Sequence, residues 1–131
     1  MDLLEHLLDG GYLPVLSPVS RDASSDTGIG ALNVNGDDAA SALAVALGAH
    51  ELLLVSDVEG VSRDGELLPT LTPACVEELV RQHVATGGMR AKLEAGCAAL
   101  AGGVARVRIS DVAAISDPAR GTILSHPGDL S

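Results

Sequence analysis

Four consecutive apolar residues, Leu52-Leu53-Leu54-Val55, follow Glu51 and give way at once to Ser56-Asp57-Val58-Glu59-Gly60-Val61. A half-solvated strand alternates apolar and polar side chains, whereas an unbroken apolar run of this length fits a parallel strand covered on both faces. Parallel strands need crossover connections, usually helices, so the run commits the chain to an α/β architecture with Glu51–Ser56 as a central strand. It also locates a place for function, because open α/β sheets bind ligands beyond the carboxyl ends of their strands. Asp57 and Glu59 stand there. They are placed either to hydrogen-bond a ribose or base and hold Mg²⁺ indirectly, or to serve as ordinary turn residues.

The rest of the pattern supplies the layers around that strand. Leu3, Leu4, Leu7 and Leu8 form the apolar stripe of a helix over 2–9, stopped by Gly10-Gly11. Tyr12–Leu16 reads as a strand, with Pro14 placing it at an edge or a strand start. Residues 17–30 are rich in Ser, Asp, Gly and Pro and predict a loop with a short hairpin closing at Gly28 and Gly30, returning through Ala31–Val34. A helix over about 37–47 follows, with Gly48 at its end. Arg63-Asp64-Gly65-Glu66 predicts a hairpin turn, and Thr72-Pro73 a helix start running to about Gln82. A second helix covers about 89–101. Val104–Ile109 alternates apolar and basic residues and predicts a strand with one solvated face. A loop or short helical turn and a last strand over 121–124 complete one domain, 1–131, expected as three α/β/α layers around a mostly parallel sheet.

Composition narrows this reading. Hydrophobic residues make up 47% of 131 residues, yet Tyr12 is the one aromatic. The core must be Ala, Val, Leu and Ile, which lets helices approach the sheet closely. A net charge of −10 argues against nucleic acid and anionic membrane surfaces as partners. There is no apolar run of about 18 residues and no basic leader before an apolar stretch, which points to the cytoplasm. Cys75 and Cys97 lack zinc or CxxC spacing and are expected as buried thiols. His6, His50, His83 and His126 are too dispersed to suggest a metal site.

Two short stretches can carry chemistry. In Asn33-Val34-Asn35-Gly36-Asp37-Asp38, the two amides point to one side of an extended backbone. Asp37 is placed to cap the Ala-rich helix behind it. The stretch reads either as a capped strand-to-helix turn or as a seat for a phosphorylated or acidic ligand. Lys92 is the one lysine among eight basic residues. It is either a solvated surface residue or a compact phosphate ligand, and Gly87-Gly88 one turn upstream adds backbone amides beside it.

The order of these stretches resembles the carboxyl-terminal half of the N-acetylglutamate kinases, within the amino acid kinase family. The resemblance rests on Gly11-Tyr12-Leu13-Pro14-Val15, Asn33-Val34-Asn35-Gly36-Asp37, Leu53 to Val61, Leu71-Thr72-Pro73, Gly87-Gly88-Met89-Arg90-Ala91-Lys92 and Gly121-Thr122. It implies a carbamate kinase-like fold and ATP-dependent phosphorylation of the side-chain carboxylate of N-acetyl-L-glutamate in arginine synthesis, with Mg²⁺. It implies that Lys92 stabilises the transferring phosphoryl group and that Asp37 organises the catalytic lysines. Asn33, with Asn35 beside it, would contact the acyl-amino acid. Ser56, Asp57, Val58, Glu59, Gly60, Val61 and Ser62 would surround the adenosine of ATP or ADP, together with Val84, Ala85, Thr86 and Met89. The family's amino-terminal half, with its glycine-rich phosphate loop and second catalytic lysine, is expected to be absent. Gly36 stands where many members have Ala, and the stretch between Ile109 and Gly121 is shorter than usual. An aminoadipate-type kinase of lysine synthesis, a catalytically inactive nucleotide-binding or regulatory module and a purely structural α/β domain remain open alternatives. A homo-oligomer is compatible with the resemblance.

Overall fold

The computed structural model describes residues 2–22, 24 and 30–129. Helix α1 (Asp2–Asp9) precedes the hairpin of β1 (Val19–Arg21) and β2 (Ala31–Asn33). Gly28, where the hairpin was expected to close, lies outside the described residues. Then come α2 (Gly36–Ala46), β3 (Glu51–Val55), β4 (Ser62–Arg63), β5 (Glu66–Leu67), β6 (Thr70–Leu71), α3 (Pro73–Arg81), α4 (Gly87–Ala101), β7 (Arg106–Ser110) and β8 (Thr122–Leu124). The main sheet has the order β3-β7-β8-β6. β3 runs parallel to β7 and β6 parallel to β8, while β7 and β8 are antiparallel. The class is α/β with a mostly parallel, mixed sheet.

One face of the sheet carries the core. Leu52 and Leu54 of β3, Val107 and Ile109 of β7 and Leu124 of β8 are buried together with Leu93, Ala99 and Leu100 of α4. The small residues allow α4 to lie close on the strands. A methyl group at Gly96 would stand 3.0 Å from a Leu124 methyl and 3.2 Å from one of Val107. Helix α2 packs beside α4 and β3, and α3 against α4. Thr72 caps α3 as expected, its hydroxyl accepting the Cys75 N–H, with Pro73 in the first turn. Asp64 and Gly65 both take positive φ in the β4–β5 turn, the geometry that suits a two-residue hairpin loop.

The opposite face departs from expectation. Arg108 is 5% exposed rather than solvated. Its Nε donates to Glu51 Oε1 at 2.8 Å, and its Nη1 donates to the carbonyls of Ala114 and Asp117. A buried guanidinium is tolerable because a carboxylate and carbonyls meet its donors. The carbonyls belong to a 3₁₀ turn, Val112–Ile115, and the loop after it, so this short segment is the cover on that side.

Three further expectations change. Among the described strands β3 lies at the edge with β7 as its one neighbour, and its burial alternates, Val55 being 45% exposed. Tyr12–Leu16 forms no strand; Leu13 and Val15 are almost fully exposed, and no described strand pairs with them. Cys75 is exposed rather than buried, and Cys97 is half-buried. Both thiols are free. Among the described residues, no helix is long and apolar enough to cross a membrane.

Candidate active site

Chain direction gathers the predicted residues at one end of the sheet. α2 leads into the start of β3, and α4 into the start of β7. Each helix therefore runs against its strand, and both helix amino termini lie beyond the strands' carboxyl ends. The Ser56–Ser62 segment leaves β3 at that same end, and β8, antiparallel to β7, starts there.

Asn35, not Asp37, caps α2. Its Oδ1 accepts the N–H groups of Asp37 and Asp38 at 2.8 and 3.2 Å. The amide does this better than the predicted Asp37 because the helix begins one residue earlier, at Gly36. Asp37, freed of that task, accepts a hydrogen bond from Lys92 Nζ at 2.8 Å. The two side chains are only 21% and 19% exposed. The pair thus ties the first turn of α2 to the second turn of α4. An ammonium has three donors, so Lys92 can keep Asp37 and still meet an incoming anion. Thr86 makes no side-chain hydrogen bond to the first turn of α4, and a Cβ at Gly88 would meet open space. Those N–H groups and the positive helix end face the same approach as Lys92. Asn33 ends β2, exposed, opposite Val19.

The Ser56–Ser62 segment is held at its entry, middle and exit. Ser56 N–H donates to the Ser110 carbonyl at 2.7 Å. Ser110 Oγ donates to the Glu59 carbonyl at 2.9 Å. Val61 N–H donates to Thr122 Oγ1 at 2.8 Å, and Thr122 Oγ1 donates to the Leu68 carbonyl at 2.7 Å. Gly60 is required by closeness, since a Cβ there would stand 2.7 Å from Thr122 Oγ1. Gly60 and Val61 are buried; Asp57, Val58, Glu59 and Ser62 are exposed. Ser56 Oγ donates to Asp57 Oδ1 at 3.3 Å. Arg120 forks onto Asp111, with both contacts at 2.7 Å, and approaches Glu59 at 3.5 Å. The guanidinium holds the Asp111 carboxyl below its ordinary range.

In the second predicted segment, Val84 and Thr86 are exposed and Met89 is half-buried against the core. Ala85 is 3% exposed, and its methyl belongs to the core. A separate groove of about 680 Å³ lies between the β1–β2 hairpin and α2, lined by Pro18, Val19, Val34, Ala39 and Leu43 among others. It touches Gly36 and Asp38 but neither Asp37 nor Lys92.

Sequence reasoning passed over Ser110, Asp111, Arg108 and Arg120, and gave Thr122 no role. The available sign was polar residues set inside the short apolar strands 106–110 and 122–124.

Comparison with known proteins places the chain in a family. The amino acid kinase family model matches residues 1–111. Acetylglutamate kinase of Rubrobacter xylanophilus is 54% identical over 102 residues, which are 78% of this chain and 38% of that protein. The chain thus spans less than half the length of this relative. The crystal structure of N-acetylglutamate synthase from Neisseria gonorrhoeae, complexed with coenzyme A and L-arginine, superposes with a TM-score of 0.83 at 26% identity, covering 98% of this chain and 33% of that one. Carbamate kinase from Giardia lamblia shares the fold at 19% identity, with a TM-score of 0.75 over 95% of this chain and 43% of that one. The family model's match over most of the chain, the similar relatives and the shared fold lead to one conclusion: the chain belongs to the amino acid kinase family.

Proposed function

We propose that the chain supplies the nucleotide-binding part of a kinase that phosphorylates the side-chain carboxylate of N-acetyl-L-glutamate, for arginine synthesis. The observation that supports this reading best is the Lys92–Asp37 pair, set between two helix amino termini. In the reaction a carboxylate oxygen of the acid attacks the γ-phosphorus of ATP. The new O–P bond forms as the bond to the bridging oxygen breaks, giving an acyl phosphate and ADP. Such transfer needs positioning and positive charge more than covalent help. Lys92 meets the charge on the transferring phosphoryl oxygens, Asp37 aims the ammonium, and the first-turn amides of α4 add donors. Ser56 to Ser62, with Val84, Ala85, Thr86 and Met89, hold the adenosine. Asn33 contacts the acid; Asn35 shapes the turn that carries it, having spent its oxygen on the helix cap.

The donor set suits a magnesium ion that arrives on the nucleotide. Mg²⁺ commonly combines one or two carboxylates with phosphates and water, and the exposed Asp57 and Glu59 carboxylates lie in the same segment as the proposed adenosine site. Such an ion would supply charge neutralisation for the phosphates.

The test is acyl phosphate formation, trapped as hydroxamate, with ATP, Mg²⁺ and N-acetyl-L-glutamate. The chain is combined with the amino-terminal half of an acetylglutamate kinase. Turnover is expected, and Lys92→Ala should lower it at least about 100-fold, the scale lost with one preorganised donor to transition-state charge. A Lys92→Ala variant within a few-fold of the parent would contradict the assignment. Nucleotide binding without turnover in every combination would favour the inactive-module alternative.

A further inference from the structure

We propose that Ser110 and Thr122 are positioning residues whose hydroxyls hold the Ser56–Ser62 segment in its nucleotide-binding shape. The inference rests on the reading of that segment as the adenosine loop, and goes beyond it by naming what fixes its geometry. Both residues are fully buried, at 0% exposure. They sit on neighbouring strands, Ser110 next to Ile109, which pairs with Thr122. By strand alternation their hydroxyls leave from opposite faces of the sheet, so they grip the segment from two sides.

Neither hydroxyl is spent on its own strand. Ser110 Oγ reaches the Glu59 carbonyl. Thr122 Oγ1 accepts from Val61 N–H and donates to the Leu68 carbonyl, joining the segment's exit to the end of the β4–β5 hairpin. With the Ser56 N–H bonded to the Ser110 carbonyl, the segment's entry, middle and exit are fixed. The exposed side chains of Asp57 and Val58 are left at the tip. An adenosine then meets a loop whose backbone is already ordered. A loose loop would lose conformational entropy in ordering on binding. A residue that only filled core space would need no hydroxyl at either position.

The experiment is titration of the chain with Mg-ADP, comparing the parent with Ser110→Ala, Thr122→Val and Thr122→Ser. Each is assayed at a temperature where far-UV circular dichroism shows it folded. Ser110→Ala and Thr122→Val should each weaken binding roughly tenfold, and Thr122→Ser, which keeps the hydroxyl, should stay within about twofold. The proposal is overturned if both hydroxyl-deleting variants bind like the parent, or if Thr122→Ser is as weak as Thr122→Val. Should Thr122→Val not fold, Ser110→Ala decides alone. A parent chain that binds no Mg-ADP removes the adenosine-loop reading and this proposal with it. A parent that binds while the variants are unchanged removes only the positioning role.

Discussion

Lys92 stood out in the sequence because no other lysine competes with it, whereas its link to Asp37 came from the family resemblance alone and from no local pattern. Asn35 and Asp37 are both good capping residues, and composition alone favours neither. Starting α2 one residue earlier, at Gly36, gives the cap to Asn35 and releases Asp37 to reach across to α4. A contact between residues 55 positions apart is invisible to any local rule. The two cysteines show the same limit. Cysteine is usually buried, yet Cys75 lies in the exposed first turn of α3, where the Thr72 hydroxyl donates to its sulfur at 3.2 Å. That hydrogen bond favours the thiolate and lowers the Cys75 pKa, whereas burial, with Glu77 and Glu94 nearby, raises that of Cys97. A lowered pKa means more thiolate at any given pH. Iodoacetamide labelling followed by peptide mass spectrometry should therefore modify Cys75 first, and its rate should rise at lower pH than that of Cys97. Equal rates, or Cys97 reacting first, would contradict this.

Among the elements, helices were more legible than strands. Their apolar spacing and caps are local, and α1, α2, α3 and α4 all lie within two residues of their predicted ranges. Strands depend on partners. Tyr12–Leu16 has strand composition but no described strand beside it, and the apolar run in β3 looked central but has a single neighbour among the described strands. In β7 the alternation of Val107, Arg108 and Ile109 suggested a wet face, because the cover comes from a segment further along the chain. That cover makes Arg108 structural. Its side chain is 6% exposed and its contact with Glu51 spans 2.7 Å, against 32% and 3.4 Å for Arg106. Arg108→Ala would leave Glu51 with Arg106 alone, at 3.4 Å, and take the guanidinium from the Ala114 carbonyl; it should cost about 3 kcal/mol, read from the urea midpoint at unchanged slope. Arg106→Ala should cost about 1 kcal/mol or less. Similar losses for the two would show that the buried fork does not hold the sheet's second face.

At the scale of the whole molecule, the fold class followed from one apolar run and a near-absence of aromatic side chains, because both constrain packing rather than detail. The antiparallel turn of β8 against β7 was not readable, yet it brings Gly121-Thr122 back to the end of the sheet where α2, α4 and the Ser56–Ser62 segment meet. The central claim is that this end of the sheet, with Lys92 at its focus, binds a nucleotide. Calorimetric titration of the chain with Mg-ADP tests it most directly. One saturable site with a dissociation constant of about 1–100 μM is the predicted result. No measurable binding by a chain whose far-UV circular dichroism shows the α/β fold would contradict it.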